Sequence, residues 1–196
     1  MHSIAAMELT NIEYVFLDRD GVLNRKPPPG QYVTSWEQFE LLPGVDNAIA
    51  TLHRTGRKAI VVTNQRGVAL GLYSLENLAQ MHERMEALLA ASGGRLDGIY
   101  VCPHDVGQCT CRKPLTGLFE QAFRDFPGAH AANSVMIGDS LRDIEAGRQL
   151  GMRTVLVTED SSPVDPEQLQ HARSLAGMCV PSLDDFVHRY LCPQHL

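Results

Sequence analysis

Five short runs rich in β-branched and apolar residues recur along the chain: EYVFLD (13–18), KAIVVT (58–63), GIYVC (98–102), SVMIGD (134–139) and RTVLVT (153–158). Between them the apolar spacing changes to three and four. Val45, Ala48, Ile49 and Leu52 keep that spacing, as do Leu75, Leu78, His82, Met85 and Leu89, and later Leu115, Leu118, Phe119, Ala122, Phe123 and Phe126. Strand and helix taking turns, with nearly continuous apolarity in the strands, predicts an α/β fold: a Rossmann-like, doubly wound, mostly parallel sheet with helices on both faces. Ser74 is placed to cap a helix start, and RKPPPG (25–30) and EDSSPVDP (159–166) read as loops. A helix near 166–176, a short strand about Val180 and a helix over 183–191 close the edge of the same sheet. No stretch between strands is large enough for a cap, so residues 1–196 read as one domain.

In such a sheet ligands bind outside the carboxyl ends of the strands, so the residues found there carry the functional reading. The first run ends in Asp18 and Asp20, which period-two alternation aims the same way. The second ends in Thr63, Asn64 and Gln65, and the fourth in Gly138, Asp139 and Ser140 with Asp143 a turn later. Crowded carboxylates repel one another unless a cation joins them. Mg²⁺, with its preference for oxygen ligands and a substrate phosphate, suits Asp18, Asp139 and the main-chain oxygen of Asp20. Arg19, Arg25, Lys26, Arg66, Arg112 and Lys113 lie in or beside these loops and would focus an anionic substrate there. Taken singly, each residue is an ordinary helix cap, turn former or solvated charge. Their order and their positions at strand ends lift the set above that.

The formal charge of −6, from 17 basic and 23 acidic residues, makes this local gathering of cations the exception, and it argues against a nucleic-acid partner. No apolar run reaches the roughly 18 residues needed to span a bilayer. The opening MHSIAAMELT lacks the basic flank and apolar core of a signal peptide. The expectation is a cytoplasmic monomer without a membrane partner. Five cysteines, three of them clustered, disfavour a disulfide framework. Cys102, His104, Cys109 and Cys111 offer enough ligands for a closed tetrahedral zinc shell, which would be structural. Their spacing is tighter than the commoner pattern, so a buried thiol cluster or redox pair stays open. Cys179 and Cys192 stand apart as a core thiol and a tail thiol.

Asp18-Arg-Asp-Gly-Val-Leu-Asn24, Thr63-Asn-Gln65, Arg112-Lys-Pro114 and Gly138-Asp-Ser-Leu-Arg-Asp143 resemble the four motifs of the haloacid-dehalogenase superfamily of phosphatases. With the Cys/His insert they are most similar to its branch acting on D-glycero-D-manno-heptose 1,7-bisphosphate. The resemblance spans residues 11–158 and implies a Mg²⁺-dependent phosphoric monoester hydrolase that removes the 7-phosphate. By resemblance, Asp18 attacks phosphorus, Asp20 is general acid and then base, Thr63 and Lys113 bind the phosphoryl oxygens, and zinc in the insert is structural. Arg19, Asn64, Gln65, Arg66, Arg112, Ser140 and Tyr32 are the expected substrate contacts, with Asp143 ordering the loop or a metal-bound water. A zinc clip at Cys111 would hold Arg112 and Lys113 over the phosphate. Two departures stand out: Ser140 where many members have lysine, and Arg66 and Leu70 where serine and arginine are frequent. The rival readings are a histidinol-phosphate phosphatase, an inactive zinc-stabilised interaction module, and a nucleic-acid 3′-phosphatase, the last disfavoured by the acidic balance.

Overall fold

A computed structural model describes residue 9 and residues 11–158 and 165–192. Six parallel strands form one sheet: β1 (Tyr14–Leu17), β2 (Lys58–Asn64), β3 (Gly98–Cys102), β4 (Ser134–Gly138), β5 (Arg153–Val157) and β6 (Met178–Val180), in the order β3-β2-β1-β4-β5-β6. Each strand lies within a residue of its expected ends. Of the loop expected at 159–166, residues 159–164 fall outside the described part.

Period-two alternation divides the strand side chains between two cores. Phe16, Ile60, Val62 and Met136 point to one face, where Leu118, Phe119 and Ala122 of helix α3 (Gly117–Asp125) cover them. Val15, Leu17, Val61, Val135 and Ile137 point to the other. There they meet Ala48, Ile49 and Leu52 of α1 (Val45–Arg54) and Met85 and Leu89 of α2 (Leu75–Ala91). The expected helical spacings hold with two exceptions, since Leu75 and Leu115 are exposed. Leu75 is the first residue of its helix, and Leu115 precedes α3, so neither reaches the buried stripe. Ser74 accepts from the N–H of Asn77, whose side chain accepts from the Ser74 N–H, closing the cap of α2. Helix α4 (Leu141–Gln149) follows β4, and α5 (Pro166–Leu175) precedes β6. The expected helix over 183–191 splits into a short α6 (Leu183–Phe186) and a π-helical turn over Val187–Leu191.

β1 has β2 on one side and β4 on the other, and the chain winds outward in opposite directions from this pair. The crevice such a reversal leaves at the carboxyl ends is where Asp18 and Asp139 emerge. The main chain keeps these ends level, for Leu17 pairs with Ile137 and the Asp18 N–H donates to the Ile137 carbonyl at 3.0 Å.

Candidate active site

A cleft of about 470 Å³ opens at this rim. Its floor holds Asp18, Asp20, Lys113, Asp139 and Asp143, and its walls come from the 26–33 loop, from Arg66, Val106 and Arg112, and from the starts of α4 and α5. Among the six cations expected here, Lys26, Arg66, Arg112 and Lys113 line the cleft. Arg25 instead forks onto Glu40 at 2.9 and 3.0 Å and borders a separate groove.

The floor is an alternating array of charges. Lys113 is buried, with its Nζ 2.5 Å from Asp143 Oδ1 and 3.0 Å from Asp18 Oδ1. Burial opposes its charge, but the two carboxylates outweigh that and raise its pKa, so it stays an ammonium. Asp143 also closes the cap of α4, its Oδ2 accepting from the Ser140 N–H at 3.1 Å and the Ser140 hydroxyl at 2.5 Å. Ser140 is therefore committed to the helix start as well as lining the cleft. Burial pushes Asp18 up, with Lys113 opposing and Asp143 and Asp20 adding to the rise. Burial likewise pushes Asp139 up to about 7, although Lys26 Nζ sits 2.5 Å from its Oδ2.

Two glycines make this crowding sterically possible. At Gly21, φ is +88° and a Cβ would fall 2.3 Å from Asp139 Oδ2. At Gly138 a Cβ would fall 2.1 Å from the Cβ of Asp143. Any side chain at either position would displace one of the carboxylates.

Asp20 is held differently. Its Oδ1 accepts from Arg19 Nη2 at 2.9 Å and Asn24 Nδ2 at 2.9 Å, and its Oδ2 from Gln65 Nε2 at 3.0 Å. Burial works against ionisation, yet Arg19 and these donors bring Asp20 below the ordinary carboxylate range. Arg19, expected on the substrate, is fully buried beneath Asp20 and reaches His82 Nε2 at 3.2 Å and Met81 Sδ at 3.8 Å. The reason lies in the period-two geometry: two carboxylates aimed into the crevice send the residue between them the other way. Gln65 is also a strut, since besides Asp20 it donates to Thr63 Oγ1 at 2.9 Å and accepts from the Tyr73 hydroxyl at 2.6 Å. Thr63 is buried, and by accepting from Gln65 it keeps its own proton to donate.

Asn64 does not stand free for substrate. Its amide clamps the main chain of Lys113, donating to the carbonyl at 3.1 Å and accepting from the N–H at 3.0 Å. Arg66 forks onto Asp105 at 2.5 and 3.3 Å, and Tyr32 stands beside it. Arg112 keeps Nη1 buried without a hydrogen-bond partner, a donor held ready for an anion. Sequence reasoning missed Tyr73 and Asp105, and it had no local signal for them, because each acts only through a partner brought close by the fold; Asn24 ends the first motif but was given no role there.

Two clusters suit cations. Asp18, Asp139 and Asp143 each bring an oxygen within 4.8 Å of the others. Both Asp143 oxygens are engaged, whereas Asp139 Oδ1 is buried without a partner and Asp18 has an oxygen beyond the one taken by Lys113 and the Arg19 N–H. These oxygens, with the Asp20 carbonyl, make a hard donor set fit for Mg²⁺. The second cluster is Cys102, His104, Cys109 and Cys111. Cys102 Sγ lies 3.5 Å from Cys109 Sγ and 3.7 Å from His104 Nδ1, and Cys111 Sγ lies 3.4 Å from that nitrogen. A tetrahedron with zinc–ligand bonds of about 2.0–2.3 Å has edges of roughly 3.5–3.8 Å, so the group fits zinc. Burial, with Cys102 and Cys109 crowding it, pushes Cys111 up to about 12.

The family described as HAD-hydrolase-like matches residues 110–186. A Vibrio cholerae protein named D-glycero-beta-D-manno-heptose-1,7-bisphosphate 7-phosphatase is 37% identical over 185 residues, 90% of this chain and 95% of that one. A Mycobacterium bovis protein named as the alpha counterpart is 44% identical over 132 residues, 67% of this chain and 69% of its own. The crystal structure of D,D-heptose 1,7-bisphosphate phosphatase from B. bronchiseptica with magnesium and phosphate superposes with a TM-score of 0.80 at 31% identity, covering 92% of this chain and 98% of that one. With likeness of this extent in sequence and in fold, and a cleft floored by the motif residues themselves, the chain belongs to the heptose-1,7-bisphosphate 7-phosphatase family of haloacid-dehalogenase-like hydrolases.

Proposed function

We propose that this protein removes the 7-phosphate of D-glycero-D-manno-heptose 1,7-bisphosphate, with residues 1–196 acting as one monomeric, cytoplasmic catalytic domain. The observation that carries the reading is the convergence of Asp18, Asp20, Lys113 and Asp139 on one cleft floor, in a chain similar over most of its length to proteins named for that reaction. Five free thiols suit a reducing compartment.

The Asp18 carboxylate attacks phosphorus and the bond to the sugar oxygen breaks, leaving an aspartyl-phosphate. Asp20 gives the departing oxygen its proton. As a carboxylate it then takes a proton from the water that attacks the aspartyl-phosphate, which releases inorganic phosphate and restores Asp18. The donors around Asp20 hold it in the form needed for this second step. An anionic phosphate entering beside it favours the proton needed for the first. Lys113 holds positive charge against the phosphoryl oxygens and Thr63 offers a hydroxyl. Asp18, Asp139 and the Asp20 carbonyl would hold Mg²⁺, which supplies charge neutralisation at the transferring group. Arg112, with its unpartnered donor, receives the far end of the substrate, flanked by Arg66 and Tyr32. Cys102, His104, Cys109 and Cys111 would hold Zn²⁺, which would supply a structural closure of the 102–111 loop.

The test is phosphate release from both anomers of the heptose bisphosphate, from the heptose 1-phosphate and from histidinol phosphate, with elemental analysis of the same preparation. Release of one phosphate from the bisphosphate, with little from the 1-phosphate, supports the reading. Faster release from histidinol phosphate replaces it with that rival, and no release from any of them leaves the zinc-stabilised interaction module.

A further inference from the structure

Two cations that line the cleft, Lys26 and Arg66, lie outside the four motifs, and Lys26 is the one paired with a carboxylate of the floor. Lys26 belongs to the RKPPPG loop, far in sequence from β4, yet its ammonium lies 2.5 Å from Asp139 Oδ2, with the Lys26 side chain 30% exposed and that of Asp139 only 8%. The floor it joins holds Asp18, Asp20, Asp139 and Asp143 against the buried Arg19 and Lys113. Arg19 is spent on Asp20 and Lys113 on Asp18 and Asp143. Asp139 is left as the carboxylate that neither serves. Position 140, the next residue along, carries a serine whose hydroxyl is turned to Asp143.

We propose that Lys26 is a tethered counter-ion of Asp139, which competes with the divalent cation for that carboxylate and so sets how tightly the cleft holds Mg²⁺. This rests on the metal reading of the Asp18–Asp139 pair and extends it. Without metal, the ammonium neutralises Asp139 and keeps the floor from repelling itself apart. With metal, a positive charge this close weakens the hold on the ion. The ammonium then serves the entering phosphate, since Lys26 lines the same cleft as Asp18 and Lys113.

Two measurements on the full chain test this without using turnover. In calorimetric titration with Mg²⁺, and with Mn²⁺ followed by electron paramagnetic resonance, Lys26→Met binds about tenfold more tightly than the natural protein, and Lys26→Arg stays close to it. In thermal unfolding, Lys26→Met melts below the natural protein in EDTA, and saturating Mg²⁺ removes the difference. Equal or weaker metal binding by Lys26→Met, or a melting deficit that Mg²⁺ leaves in place, overturns the proposal. Asp139→Asn separates the two levels of inference. If it abolishes metal binding while Lys26→Met binds no tighter, the metal site stands and the role of Lys26 falls. If the natural protein binds no divalent ion, both fall.

Discussion

The two ligand-bearing clusters of this molecule are assembled in opposite ways. Asp18, Asp139 and Asp143 come from the ends of β1 and β4 and the first turn of α4, held by a sheet whose central strands are buried. Cys102, His104, Cys109 and Cys111 come from ten consecutive residues, half of them exposed. The fold positions the first cluster, so its members need not attract one another and can be mutually repelling charges poised for chemistry. The second stands on a loop too short to build a core, so its own ligands must hold it together. The clusters also govern different parts of the cleft. Lys113 is gripped by Asn64, Asp18 and Asp143, all of them on the sheet side. The thiol loop instead carries Asp105, which aims Arg66, and leads into Arg112. The clip at Cys111, expected to hold Arg112 and Lys113, would thus share Lys113 with Asn64, Asp18 and Asp143.

Substitution in the strand-borne cluster draws the sharpest contrast. Asp18→Asn lowers the rate of phosphate release by at least about 10⁴-fold, the scale seen when a nucleophile is removed. Its melting temperature stays level or rises, because one of several repelling carboxylates is gone. A large fall in melting temperature would show that the cluster holds the fold rather than the reverse.

Beneath the same cluster, an arginine can only donate, so His82 Nε2 must accept from Arg19 and the ring is neutral. Burial, reinforced by Arg19, pushes His82 down to about 4 from 6.5. Its contribution to stability is therefore complete above pH 6.5, where the unfolded histidine is also neutral, and is lost as pH falls towards 4. Urea unfolding at pH 7 and pH 4.5 will show His82→Leu losing about 2 kcal/mol less than the natural protein between those values. An unchanged difference would mean that His82 is protonated beneath Asp20.

The loop-borne cluster answers on substrate affinity. Cys109→Ser empties the zinc site in elemental analysis and raises KM about tenfold, while kcat changes less than about threefold. A matching collapse of kcat would return the placing of Lys113 to the loop. Smallest is Asp105→Asn, which frees the partly exposed Arg66 from its fork. A rise in KM of about threefold is expected, measured with the bisphosphate beside an unchanged zinc content.

Much of this was legible in the chain. The runs at 13–18, 58–63, 98–102, 134–139 and 153–158 became β1 to β5, and the helical stripes became the buried faces of α1 to α3 apart from Leu75 and Leu115. Asp18, Asp20, Asp139 and Lys113 do meet, and the Cys/His group does close on itself. Roles were less legible than positions. Arg19, Gln65 and Asn64 were expected on the substrate, but they brace Asp20 and Lys113. Motif position tells which residues gather at a strand end, and it is silent on which of them face the cleft and which support the others from behind.

Sequence by itself determined the layers, the strand ends and the membership of both clusters, because backbone periodicity is local and fixes which residues share a face. The tertiary structure alone decided the pairings: Lys26 on Asp139, Arg19 between Asp20 and His82, and Asn64 on the main chain of Lys113. Each of these joins segments distant in the chain, or turns on which side of a strand end a long side chain leaves. Such choices follow from three-dimensional approach and the balance of buried charge, and no stretch of neighbouring residues contains them.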